Sequence, residues 1–108
     1  MIEVRMLVDE RKLEAKIAKG VQRAVKALAP DIVRIRFTIE EDWYGVPCVE
    51  FRVLMSDKAG EVPRLHATAK RAAGRLTREV DPGALGLQPY FRYRTVSEQK
   101  ELEEAAWE

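Results

Sequence analysis

The sequence predicts a two-layer α+β sandwich, ordered helix, strand, strand, helix, strand, with two amphipathic helices on one face of a three-stranded sheet. Three observations carry this expectation. Two long segments place apolar residues every three or four positions, three shorter ones alternate apolar and polar residues, and Gly/Pro punctuation separates them. An amphipathic helix and a one-sided sheet each need another layer against which to bury their apolar side, and the sandwich supplies both.

At the front, Ile2, Val4, Met6 and Val8 alternate with Glu3, Arg5 and Leu7, which reads as a short strand or an irregular lead-in. If that segment pairs, it adds a fourth strand at the N-terminus and the arrangement becomes ferredoxin-like; if not, it resembles a KH-like domain. From Asp9, an N-cap residue, the spacing turns helical, with Leu13, Ile17, Val21, Ala24, Val25 and Leu28 on one stripe and Ala29-Pro30 as the stop. Val33, Ile35, Phe37 and Ile39 then alternate with Arg34, Arg36 and Thr38, the pattern of a strand with one buried and one wet face. After the loop at 40 to 47, Val49, Phe51, Val53 and Met55 repeat that pattern, so the two strands form a hairpin.

Pro63 opens a second helix whose inner stripe is Leu65, Ala69, Ala72, Ala73, Leu76 and Val80, and Asp81-Pro82-Gly83 with Gly86 ends it. Gly74 lies opposite that stripe, so close packing does not explain it and a bend or break in the helix is expected there. In the last strand Phe91, Tyr93 and Thr95 face the core while Tyr90, Arg92 and Arg94 face out. Ser97 is expected to cap a short acidic helix carrying Leu102, Ala105 and Trp107. The domain reading is one α+β domain over 1–96, followed by an acidic C-terminal tail or short helix over 97–108.

Composition narrows the function classes. With 108 residues, 46% of them hydrophobic and 34% charged, the chain is an ordinary globular domain with room for one core. No apolar run approaches the roughly 20 residues of a membrane span, and Met1 to Val8 lacks the features of a secretory signal, so no membrane partner and a cytoplasmic location are expected. One cysteine, Cys48, and one histidine, His66, are too few for a thiolate or zinc site, and no glycine-rich phosphate loop is present. No catalytic residue, metal or cofactor is therefore assigned. His66 stands beside Lys70 as an ordinary surface histidine, and the consecutive acids Glu40, Glu41 and Asp42 lack further ligands for a hard cation.

What remains is surface. On the first helix Lys12, Lys16, Lys19, Arg23 and Lys26 line up opposite the core, either as a phosphate-binding stripe or as the solvated face of an amphipathic helix. On the outward sheet face Arg34, Arg36, Arg52, Arg92 and Arg94 share a phase with Tyr90, and Trp43 and Tyr44 stand at the hairpin end. Guanidinium groups and aromatics on an open sheet can stack bases and grip a single-stranded backbone. The competing reading is that these arginines are cross-strand partners of acids such as Glu50, or an oligomer interface, and Glu3, Glu40 and Glu50 on the same face weigh toward it. Trp43 and Trp107 each read equally as a lid on the domain's own core or as an anchor for a partner.

Ala69-Lys70-Arg71-Ala72-Ala73-Gly74-Arg75-Leu76 and Pro89-Tyr90-Phe91-Arg92 resemble ribosome-binding factor A. The resemblance implies a KH-like domain with a second helix kinked at an Ala-x-Gly element, acting on small-subunit ribosomal RNA during assembly. The loop Glu40 to Gly45 and the tail with Trp107 depart from that family. The functional expectation is a non-catalytic binding module that takes RNA on its arginine sheet face. The alternative is a protein-interaction or homo-oligomer module.

Overall fold

A computed structural model describes the backbone of residues 2–108 and the side chains from Glu10 onward. The elements are α1 (Ile2–Leu28), β1 (Ile32–Glu41), β2 (Pro47–Met55), α2 (Val62–Val80), a 3₁₀ turn (Pro82–Leu85), β3 (Gln88–Thr95), α3 (Val96–Leu102) and a second 3₁₀ turn (Ala105–Trp107). The two-layer order helix, strand, strand, helix, strand is thus the one the periodicities predict. Among the described residues, no helix is long and apolar enough to cross a membrane.

β2 is the central strand, antiparallel to β1 and parallel to β3. A tight turn cannot join parallel neighbours, so α2 serves as the crossover that returns the chain to the far side of the sheet. The inward row Phe37, Phe51 and Phe91 runs across all three strands in register, with Phe51 fully buried and its ring 5.5 Å from that of Phe91. Ile17, Val21, Ala24 and Leu28 of α1 and Ala72, Leu76 and Val80 of α2 close over Val49, Phe51 and Val53 to make the core.

Four local expectations are corrected. Residues 2–8 form neither a strand nor a lead-in but the start of α1, so the ferredoxin-like fourth strand is not formed. In the sequence Ile2 and Met6 also stand at helical spacing from Leu13 and Ile17, and no Gly or Pro interrupts the run before Gly20. Second, α2 runs unbroken through Gly74, which is exposed. Third, the buried line of α2 is Thr68, Ala72, Leu76 and Val80, while Leu65 is half exposed. Thr68 can go inside because its hydroxyl donates to the carbonyl of Ala59 at 3.0 Å. Fourth, Thr95 rather than Ser97 caps α3, in a capping box with Glu98, whose carboxylate accepts from the Thr95 amide at 2.8 Å.

The two helical glycines differ in a way that fixes the α1–α2 seam. A Cβ on Gly20 would lie 2.7 Å from the Glu79 carbonyl oxygen and 2.8 Å from a Val80 methyl, whereas one on Gly74 would meet nothing within 4 Å. Gly20→Ala is therefore expected to destabilise by about 1–3 kcal/mol through overpacking. Gly74→Ala should instead stabilise by about 0.5–1 kcal/mol through helix propensity. Urea denaturation of both variants checks the opposite signs.

Around the seam, Glu79 accepts from Arg23 at 3.0 Å and from Arg75 at 3.3 Å, and Asp31 binds Arg71 at 3.0 Å and Arg64 at 3.1 Å. The hydrogen bond from Arg71, then the charge and hydrogen bond of Arg64, hold the Asp31 carboxyl below its ordinary range. Arg23 first and Arg75 second do the same for Glu79.

Candidate functional site

Strand alternation puts the even-numbered residues of β1, β2 and β3 on the face away from the helices, and the registers stack them in rows. Arg34, Leu54 and Arg94 form one row, Arg36, Arg52 and Arg92 the next, and Thr38, Glu50 and Tyr90 a third. All five sheet arginines therefore share one surface, as the sequence predicts. That surface is not open.

The segment after β3 folds back over it. α3 turns the chain, Glu103 adopts a left-handed conformation at its end, and the Ala105–Trp107 turn lies across the arginines. Arg52 donates to the carbonyl of Ala106 at 2.8 Å, Arg34 to that of Trp107 at 3.1 Å, and Arg36 to that of Glu108 through two nitrogens at 2.9 and 2.6 Å. Trp107 is 3% exposed, with the Arg94 guanidinium carbon 4.3 Å from its ring centroid. Arg94 is itself buried and donates to Gln99 at 2.7 Å and to Glu104 at 2.6 Å. Gln99, also buried, donates to the Glu104 carbonyl at 2.7 Å and to the Glu108 carboxylate. Four of the five arginines are thus engaged by one segment of the chain. A buried guanidinium stacked on an indole and hydrogen-bonded to two side chains is held in a single orientation, unlike a surface arginine.

Arg92 is the exception, with a side chain 61% exposed and only a long 3.9 Å approach to Glu50. Near it Tyr90 is partly exposed, and its hydroxyl donates to Asp42 at 3.3 Å. Asp42 organises the hairpin loop by accepting from the amides of Tyr44 and Val46 at 2.8 and 2.9 Å, while Gly45 takes a φ of 76° that disfavours any side chain. Those amide bonds, Val46 first, then the Tyr90 hydroxyl, depress the Asp42 carboxyl, whereas burial and then Asp42 raise the Tyr90 phenol. At the tip, Trp43 is 100% and Tyr44 91% exposed, so neither folds back over the core. Trp43 and Trp107 therefore resolve oppositely, one outward and one as a lid.

Elsewhere the candidates separate cleanly. Cys48 is buried, and burial first, then the carboxylates of Glu40, Asp42 and Glu50, hold its thiol above its ordinary range, which suppresses the reactive thiolate. His66 lies exposed in a shallow depression with Leu65, Tyr93 and Glu98. No cluster of metal-ligating side chains occurs among the described residues. On α1, Lys12, Lys16, Lys19 and Lys26 are exposed and form no ion pair among the described residues, and the same holds for Lys70 and Arg78 of α2.

No family model, curated protein or solved structure matches this chain. The site therefore has to be read from its own chemistry. Leu54, Gln99 and Glu104 belong to it but are absent from the sequence-derived set. Leu54 carried a usable signal, since it is an apolar residue on the outward phase between two arginines and is buried in the fold.

Proposed function

We propose that the protein is a non-catalytic RNA-binding module whose primary phosphate contacts are made by the helical layer. The observation that carries this reading is the run of exposed bases Lys12, Lys16, Lys19 and Lys26 along α1, which form no ion pair among the described residues, together with exposed Lys70 and Arg78 on α2 of the same layer. Lysines without acid partners are free to displace counterions from a polyanion, whereas four of the sheet arginines already have acceptors. Arg92, Tyr90, Trp43 and Tyr44 supply a secondary surface on which unpaired bases can stack. The sequence resemblance to ribosome-binding factor A points to the same partner class, although Gly74 does not break α2.

The test is fluorescence anisotropy with a labelled single-stranded RNA across a salt series. Four to six phosphate contacts give a slope of log affinity against log salt of roughly −3 to −4. A Lys16→Ala, Lys19→Ala, Lys26→Ala triple variant should flatten it by about 2, because each lost contact removes about 0.7. No binding at low salt, or an unchanged slope in the triple variant, overturns the reading.

A second reading, a protein-interaction module, is favoured by the full exposure of Trp43 and Tyr44 at a rigid hairpin tip. It predicts that Trp43→Ala abolishes capture of a partner protein while leaving the salt slope for RNA untouched.

A further inference from the structure

We infer that β1 is the dimerisation edge of this protein, pairing antiparallel with β1 of a second copy to give a continuous six-stranded sheet. β1 lies at the edge of the sheet and is ten residues long, and among the described residues nothing hydrogen-bonds to the backbone on its outer side. Natural edges are blunted by proline, bulges or a covering element. β3, the other edge, carries Pro89 near its start; β1 has only an irregularity between Ile32 and Arg34 and no proline.

Beside that edge runs a groove of about 640 Å³ between α1 and β1, lined by apolar residues such as Val21, Val25 and Phe37 and also by five bases, Lys19 and Lys26 among them. It continues into a second depression that shares Ala18 and Phe37 and adds Ala15. The dimer contact is therefore confined to the unpaired strand edge, and the basic rim of the groove, with Lys19 and Lys26, is not part of it.

Charge selects the occupant. The outward positions of β1 read Arg34, Arg36, Thr38, Glu40, basic in the first half and acidic in the second. A two-fold axis at Thr38 sets each Arg36 opposite Glu40 of the second copy, twice per dimer, and keeps every side chain on its own face; Arg36 gives two nitrogens to the Glu108 carbonyl but has no acid partner among the described residues, so its charge is still to be paired. Parallel pairing of two copies in the same register would set arginine against arginine. The strand is therefore complementary to itself in the antiparallel sense alone, and this holds whether or not the protein binds RNA.

Sedimentation velocity on the full chain tests it, in a Cys48→Ala background. The expected result is a dimer that Glu40→Arg weakens about tenfold or more and that the Arg36→Glu, Glu40→Arg double variant restores, since the swap re-forms both pairs. Thr38→Cys should oxidise to a symmetric disulfide dimer, because residues opposed across antiparallel strands lie within disulfide reach. A chain that stays monomeric at millimolar concentration overturns the inference. So does a dimer indifferent to Glu40→Arg whose Thr38→Cys variant fails to cross-link.

Discussion

Phe51→Ala is expected to destabilise the fold by about 3–5 kcal/mol, the largest effect of any single truncation in the core. Phe51 is fully buried at the centre of β2, between Phe37 and Phe91 in register, with its ring stacked on Phe91 at an interplanar angle of 21°. Removing the ring forfeits its transfer energy and its contacts with both neighbouring strands, and it leaves a void that the surrounding residues of both helices cannot close without moving the sheet. A domain of this size has a total stability of only about 5–15 kcal/mol, so the variant should retain between almost none and about four fifths of it. Urea denaturation reads the change as a lower midpoint at unchanged slope. Phe91→Ala should cost less, because Phe91 is only partly buried. Equal losses for Phe51→Ala and Phe91→Ala would mean that the core is centred nearer β3 than the packing indicates.

What the sequence made legible follows from what periodicity encodes. The α1 stripe from Leu13 to Leu28 and the alternation in β1 and β2 are burial written at a fixed spacing, and they locate the core, the sheet face and the shared arginine surface. Residues 2–8 were illegible because a short apolar run fits a period of two as well as it fits a helix. The rotation of α2 was hidden for a different reason: Thr68 looks polar until the Ala59 carbonyl is seen to accept its proton. The roof over the arginines depends on contacts across more than seventy residues of chain, from Arg34 to Trp107, which no local pattern records. Two traces of it were nonetheless present. Leu54 stands on a polar strand phase, and Trp107 closes an otherwise acidic segment; each is costly to leave wet, and together they imply a cover.

Trp107→Ala tests that cover and the function of the face beneath it. The indole is nearly fully buried and stacked under Arg94, so its removal should take about 3–5 kcal/mol from the docking of residues 97–108. The core closed by α1 and α2 does not include Trp107, so the segment should open locally before the domain unfolds. Amide exchange should then lose protection from α3 onward while β2 keeps it. Trp43 is the only other tryptophan and is fully exposed, so in a Trp43→Ala background the emission of Trp107 alone reports docking. Trp43→Ala itself should change stability by no more than about 0.5 kcal/mol. Opening frees Arg34, Arg36, Arg52 and Arg94 together. If the bare face can take phosphates, the Trp107→Ala variant should bind single-stranded RNA more tightly, with a salt slope steeper by about 0.7 for each arginine that engages. Unchanged binding alongside lost protection would instead mean that the four roofed arginines serve the fold, and that the lysines of α1 carry the polyanion.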